Sequence, residues 1–243
     1  MNRILVLGVL LCAGIGSLAQ ESQTAFAGSS TDDDVQIVRK ILESNGITDV
    51  SVMSISKLEG TRIISLDLEN KNIEKSSIRT LSPDIGRLTA LQELYLQKNE
   101  VAELPEAIGG CTSLRILNLA SNELRALPNS IGNLAALQQL DVRSNSIETL
   151  PPGFYRLKNL QVFQAWGNRL TSLSDDIGNM TALREIYLER NRLKTLPAGI
   201  IRCKNLTYFD IGYNEICSPS AAIDAWIKKK DKRYREMQKC QVE

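Results

Sequence analysis

Hydrophobic residues recur along most of the chain with one fixed period. Leucine stands at six positions that are 23 residues apart, namely 91, 114, 137, 160, 183 and 206. From each position the chain follows the pattern L-x-x-L-x-L-x-x-N-x-L, in which Val, Ile, Phe or Ala replaces some of the leucines. A seventh, irregular copy precedes them at residues 63–68. A period of this length predicts stacked structural repeats that share one hydrophobic core.

The alternating segment x-L-x-L-x predicts a short β-strand in every repeat. Successive side chains of a strand point to opposite faces, so the leucines enter the core and the residues between them point outward. Leu-Pro pairs such as Leu104-Pro105 return the chain on the opposite, convex side, where a missing N–H costs little. The pattern therefore predicts a solenoid of parallel strands with an outward-facing concave sheet.

An asparagine follows each predicted strand, at the point where the chain turns off the sheet. Its amide group both donates and accepts hydrogen bonds, so it can satisfy backbone groups that the turn leaves unpaired. We expect one asparagine per repeat to stack into a structural ladder. Its members are Asn99, Asn122, Asn145, Asn168, Asn191 and Asn214.

This motif resembles the leucine-rich repeat family, and its variety LPxxIGxLxxLxxLxLxxNxL resembles that of bacterial exported repeat proteins. The resemblance covers residues 60–217, as one irregular and six regular repeats. It implies an α/β fold: a curved leucine-rich repeat solenoid with a parallel β-sheet on the concave face and helical caps at both ends. It also implies a role in binding other macromolecules, but it does not identify the partner, because one fold hosts many functions.

The flanking segments predict the two caps, because a terminal repeat would otherwise expose its apolar face. In the N-terminal cap, residues 28–59, three consecutive aspartates precede an amphipathic helical pattern that ends near Gly46. In the C-terminal cap, residues 218–243, a Ser-Pro pair opens a second helix. The stretch ICSPSAAIDAW there resembles the corresponding cap of bacterial repeat proteins. We expect Trp226 on this helix to cover the last repeat.

The N-terminal segment predicts export. A single arginine precedes the apolar run 4–15, and small residues follow it, which is typical of a signal peptide over residues 1–19, with cleavage as late as residue 27. A membrane anchor would need about 20 apolar residues, and only about 12 are present. Lipidation of Cys12 would need a small residue before it, where a leucine stands. We therefore expect a secreted, periplasmic or cell-surface protein without a transmembrane anchor.

Export would place the four remaining cysteines in a compartment that permits disulfides. Cys111 and Cys203 occupy an apolar repeat position and lie four repeats apart, which is roughly 19 Å, whereas a bridge needs Cα atoms within about 7 Å. Cys217 and Cys240 flank the C-terminal cap, and we expect them to be joined. The resemblance adds support, since exported members of the family often staple their caps. A metal site would lack further ligands.

The composition offers little chemistry for catalysis. The chain has no histidine, which removes the commonest acid–base catalyst and metal ligand, and it has no P-loop or glycine-rich dinucleotide motif. Glu189 and Asp210 lie diagonally across neighbouring strands, near the separation of about 5–9.5 Å that glycosidase carboxylates use. We prefer the interpretation that these carboxylates are ordinary solvated residues of the sheet face. We therefore predict a protein that is not an enzyme and holds no cofactor or metal.

The net charge of +1 gives no argument for a nucleic-acid partner. The chain has one strong basic run, at residues 228–235. A basic run can contact anionic lipid, cell-wall polymer or nucleic acid. A cap helix with a solvated outer face explains the run equally well, and we prefer that interpretation.

Trp166 is the unusual residue among the outward positions, because its column otherwise holds mainly polar or small side chains. Aromatic residues together with arginine are typical of binding hot spots, so we predict that Trp166 anchors a protein partner on the concave face. The predicted ligand-binding residues are Tyr95, Arg143, Gln164, Trp166, Tyr187, Glu189, Tyr208 and Asp210.

Three alternatives stay open. Aromatic rings on a concave face can also stack on sugars, which would make the chain a carbohydrate- or cell-wall-binding surface protein. Trp166 can instead lie flat over its neighbours above Gly167. An intracellular scaffold would require the prediction of export to be wrong.

Overall fold

The computed structural model describes residues 30–73, 76–231 and 234–240, and the predicted signal peptide lies outside these residues. Eight strands form one sheet in chain order. They are β1 Ser56–Glu59, β2 Arg62–Asp67, β3 Glu93–Tyr95, β4 Ile116–Asn118, β5 Gln139–Asp141, β6 Val162–Gln164, β7 Glu185–Tyr187 and β8 Tyr208–Asp210. Strands β2 to β8 are parallel and pair in the same register from repeat to repeat, so the predicted solenoid is confirmed.

The first strand is an addition to the predicted fold, because β1 runs antiparallel to β2. The sequence pattern predicted only a helical cap over residues 28–59. Gly60 adopts a φ of +59° in the two-residue connection between the strands, which is a conformation that glycine reaches at little cost. This hairpin pairs the backbone groups of β2 that would otherwise form an open sheet edge.

Short 3₁₀ helices line the opposite side of the repeats. They span Pro83–Arg87, Glu106–Gly110, Asn129–Asn133, Pro152–Arg156, Asp175–Asn179 and Ala198–Arg202. Neighbouring 3₁₀ turns approach so closely that a Cβ on Gly153 would lie 1.9 Å from the carbonyl oxygen of Asn129. This close approach explains why the repeats carry a glycine in this segment.

Two α-helices flank the repeats, as predicted. Helix α1, Ser30–Ser44, buries four aliphatic side chains against the first repeat and is followed by Gly46 at a φ of +72°. Helix α2, Ala221–Lys230, begins after Ser220, whose hydroxyl accepts a hydrogen bond from a backbone N–H of the first turn. The ring of Trp226 lies 5.1 Å from that of Phe209 in β8, so it does pack on the last repeat.

The repeat that contains Trp166 is packed differently from the others. Phe154 replaces the isoleucine of the other 3₁₀ turns, and its ring lies 4.6 Å from that of Phe163 in β6. Ala165 then stands where the other repeats place Leu, Val or Ile, and it is buried. Two large rings and one small side chain keep the core volume, which is the kind of exchange that cores tolerate.

The six asparagines form a ladder that joins each repeat to the one before it. The Asn145 amide nitrogen donates to the carbonyl oxygens of Leu119 and Val142, both at 2.9 Å, and its oxygen accepts the Leu124 N–H at 2.9 Å. The residue before each asparagine adopts a left-handed φ between 53° and 68°. Gly167 is the only glycine among these six residues, and it follows Trp166 directly.

The C-terminal cap continues the ladder with a glutamine, which the sequence analysis did not predict. The Gln238 oxygen accepts the Ile216 N–H at 3.1 Å, and its nitrogen donates to the carbonyl oxygen of Ile211 at 3.0 Å. These bonds reproduce those of an asparagine rung. Cys217 and Cys240 are joined by a disulfide with a Cα–Cα distance of 5.6 Å, which holds this rung in place.

Candidate functional site

The outward side chains of the strands form three columns on the sheet. The first column is Ser65, Glu93, Ile116, Gln139, Val162, Glu185 and Tyr208, and the second is Asp67, Tyr95, Asn118, Asp141, Gln164, Tyr187 and Asp210. The third column lies two residues further along each repeat and is Glu69, Gln97, Ala120, Arg143, Trp166, Glu189 and Gly212. All eight predicted ligand-binding residues stand in these three columns.

Seven of the eight residues fall into two groups. Tyr95, Arg143 and Gln164 line one hollow of about 250 Å³ in the middle of the face. Arg143 is held there by Asp141, because its Nε lies 3.1 Å from the carboxylate oxygen Oδ2. Burial raises the pKa of Asp141, and the Arg143 N–H bond and guanidinium charge oppose this shift.

The second group lies at the C-terminal end of the face. We call Glu185, Tyr187, Glu189, Tyr208 and Asp210 the acidic–aromatic end. The rings of Tyr187 and Tyr208 lie 4.6 Å apart at an interplanar angle of 31°. The Tyr187 hydroxyl donates to Glu185 at 2.9 Å, and the Tyr208 hydroxyl donates to Asp210 at 3.4 Å. Burial, followed by the Glu185 bond, raises the pKa of Tyr187 to about 12.

Glu189 is the strongly perturbed carboxyl of this end. Burial first, and then the charge and hydrogen bonding of neighbouring Asp210, raise its pKa to about 7. Its Oε2 atom is buried and accepts no hydrogen bond from the part of the chain that the structure describes. Asp210 is also a structural residue, because its Oδ1 accepts the Gly212 N–H at 2.9 Å and so stabilises the turn after β8.

Trp166 stands between the two groups and is half-buried. The polar composition of its column predicts exposure to water, and this is wrong in part, since Glu69 is only 4% and Ala120 only 3% exposed. Neighbouring strands lie about 4.8 Å apart, so outward side chains of adjacent repeats shield one another, which a single repeat cannot reveal. Arg143, which stands one repeat before Trp166 in the same column, is paired with Asp141.

A second hollow, of about 450 Å³, lies at the N-terminal end of the face and was missed by the sequence analysis. Strands β1 to β3 line it, with Lys57, Asp67 and Glu93 as its charged residues. It depends on β1, whose antiparallel pairing the repeat pattern does not predict. The sequence signal that could have indicated this hollow is Lys57 together with the outward acids Asp67 and Glu93.

The described residues hold neither a candidate metal cluster nor an exposed free cysteine. No group of three or more Asp, Glu or Cys side chains among them is placed to hold a metal ion. Cys111 is a free, buried thiol, and burial raises its pKa to about 12, so it is not a thiolate nucleophile near neutral pH. Within residues 30–73, 76–231 and 234–240, no helix is long and apolar enough to span a bilayer.

Comparisons with known proteins support the fold. Residues 106–207 match the family model of a leucine-rich repeat region. A plant ice-binding protein is 27% identical, with a TM-score of 0.66 over 75% of this chain and 64% of that one. The crystal structure of PEPR1–AtPEP1 is 23% identical, with a TM-score of 0.53 over 77% and 33% of the two chains. An internalin from Listeria monocytogenes is 23% identical, with a TM-score of 0.50 over 60% and 48%.

The chain therefore spans less than two-thirds of the length of each of these relatives. A comparison with curated proteins gives no significant match. At these identities, the likeness to PEPR1–AtPEP1 and to the internalin concerns the fold alone.

Proposed function

We propose that this leucine-rich repeat protein is an exported binding module that recognises a protein partner through the three columns of its concave face. The leucine-rich repeat fold commonly mediates protein binding. One observation carries the proposal for this chain: aromatic rings and carboxylates from consecutive repeats converge on one end of the sheet, where Tyr208 is 44% exposed. Exposed aromatic residues in such clusters are what binding hot spots consist of.

The similar solved structures support the fold of such a module, but they do not identify its ligand. One of them is a plant ice-binding protein and another is PEPR1–AtPEP1, so the same architecture serves different ligands. The ligand of this chain must therefore be found from its own face.

Export is supported by the disulfide and by the predicted signal peptide. A bridge such as Cys217–Cys240 persists in oxidising compartments and is rare in the cytosol. Cell fractionation followed by N-terminal sequencing tests export. We expect mature chains that begin between residues 20 and 28. Unprocessed chains in the cytosolic fraction would contradict it.

Trp166→Ala tests the use of the face, in a pull-down from host or neighbouring-cell extract with the mature protein. We expect binding of the captured protein to weaken by at least about 2 kcal/mol, since hot-spot side chains carry such energies. The melting temperature should stay nearly unchanged. Ile201→Ala, at an exposed apolar residue on the convex side, is the matched control and should change affinity less than about twofold.

Two outcomes would change the function that we assign to the concave face. If Trp166→Ala lowers the melting temperature and leaves affinity intact, Trp166 packs over its neighbours and the binding surface lies elsewhere. If a glycan array shows binding that the same variant removes, while the pull-down recovers no protein, the ligand is a carbohydrate.

A further inference from the structure

The concave face carries a charge that the molecule as a whole does not. The chain has 29 basic and 28 acidic side chains, for a net charge of +1. In the three columns, by contrast, Arg143 is the one basic residue. The acidic residues of the columns are Asp67, Glu69, Glu93, Asp141, Glu185, Glu189 and Asp210. A face of this composition attracts a cationic partner and repels an anionic one.

Ion pairs neutralise two of these seven acids, whereas Asp67 and Glu93 at the N-terminal end form none that the structure describes. Glu69 pairs with Lys98 at 3.0 Å, and Asp141 pairs with Arg143 at 3.1 Å. At the acidic–aromatic end, none of the three carboxylates forms an ion pair with a lysine or arginine that the structure describes. Their hydrogen bonds come from tyrosine hydroxyls, from the backbone and from the contact between the Glu189 and Asp210 carboxyl groups. The three carboxylates are therefore not neutralised by a direct ion pair among the described residues, and the Arg190 guanidinium stabilises the charge of Glu189 only from a distance.

The surroundings of these carboxylates also suit a cation. The stacked rings of Tyr187 and Tyr208 lie beside them, and Trp166 stands in the next repeat. Aromatic faces attract cations electrostatically. The same end already holds one such contact, because the Arg190 guanidinium lies 5.6 Å from the ring centre of Tyr213. Arginine suits this combination better than lysine, since its planar group both stacks on rings and bonds to carboxylates in a fork geometry.

We infer that the acidic–aromatic end binds an arginine side chain within a basic peptide segment of the protein partner. This inference rests on the proposed function and specifies the chemistry of the partner. Glu189 and Asp210 supply the charge, and Tyr187 and Tyr208 supply the rings on which the guanidinium stacks. Acidic peptides and nucleic acids are excluded from this end by the same charge.

Fluorescence anisotropy with a labelled oligo-arginine peptide tests the inference on the mature protein at about pH 8. The double variant Glu189→Gln/Asp210→Asn keeps the shape of both side chains and removes both charges. We expect it to raise the Kd at least about tenfold, which corresponds to about 1.4 kcal/mol. The double variant Glu103→Gln/Glu148→Gln removes two exposed acids outside the columns and should change the Kd less than about twofold.

Two further probes separate recognition from general attraction. Tyr208→Leu removes one ring while it leaves every charge, and it should weaken oligo-arginine more than oligo-lysine. Equal losses for the two peptides, or equal losses in the two double variants, would show bulk electrostatic attraction and overturn the inference. Thermal melts identify any variant that fails to fold, in which case Tyr208→Leu alone decides.

A second copy of this chain is the competing occupant, because residues 228–230 of α2 are exposed lysines. Sedimentation velocity checks this. A dimer that Glu189→Gln/Asp210→Asn dissolves, together with no binding of oligo-arginine, would overturn the inference. If Trp166→Ala no longer captures the partner, but the unmodified protein does not bind oligo-arginine, this inference is overturned and the proposed function stands. Partner capture that no column variant affects overturns the proposed function.

Discussion

At the scale of single residues, the direction of a side chain follows from its position in the repeat, whereas its burial and its partners depend on neighbouring repeats. Leucine alternation predicts which side chains point out of the sheet, and it placed all eight candidate residues in the three columns. It does not predict that Arg143 pairs with Asp141 or that Glu69 is buried, since these depend on side chains one repeat away. Whether Trp166 anchors a ligand stays a prediction for the same reason.

The prediction at this scale is that the contribution of Glu189 to the stability of the fold depends on pH. Its pKa is raised from about 4.5 to about 7 by burial and by Asp210, so the folded state holds this proton more tightly than the unfolded state. Stability from this group is therefore present at low pH and is lost as the pH rises from about 4.5 through 7. Glu189→Gln should stabilise the protein by about 1–2 kcal/mol at about pH 8, a value reduced for solvent screening.

Urea unfolding across this pH range measures the effect. The gain from Glu189→Gln should disappear near pH 4, where the wild-type carboxyl is also neutral. Glu148→Gln, at an exposed glutamate outside the columns, is the control and should show no such pH dependence. A gain of equal size at both ends of the range would mean that the substitution acts through packing and not through ionisation.

At the scale of the repeat, the fixed period made the strands and the asparagine ladder predictable. Each repeat meets the same neighbours, so one motif describes six of them. The ends of the solenoid lack this property. Strand β1 and the Gln238 rung have no counterpart at a spacing of 23, since Gln238 follows Asn214 by 24 residues, and neither was predicted.

The ladder gives the prediction at this scale. Asn145→Ala removes an amide that serves four backbone groups across two repeats, which should cost about 1–3 kcal/mol. Chemical denaturation of the mature protein measures it. Asn133→Ala, at an exposed position on the convex side, should cost less than about 0.5 kcal/mol. Equal losses of stability in the two variants would show that water replaces the hydrogen bonds of the Asn145 amide without cost.

At the scale of the whole molecule, the caps determine whether the stack of repeats is closed. A repeat array gains stability from each interface and loses it where the last interface is open. The C-terminal cap closes the array with α2, with the Gln238 rung and with the Cys217–Cys240 bridge two residues further on. Loss of the bridge should therefore loosen the cap before it affects the central repeats.

The bridge itself gives the last prediction. It joins residues 23 positions apart, and closing a loop of that size should stabilise the protein by about 3 kcal/mol in the chain-entropy model. Cys217→Ser/Cys240→Ser should lose this stability, with hydrogen exchange rising first in β8 and α2. Cys111→Ser/Cys203→Ser is the control for thiol loss; it should leave exchange in the C-terminal cap unchanged relative to the central repeats, because these buried thiols lie outside the cap.

Alkylation of the unreduced, denatured protein should label two cysteines in the mature chain. Four labelled cysteines, or exchange that rises uniformly along the repeats, would show that the bridge does not hold the cap.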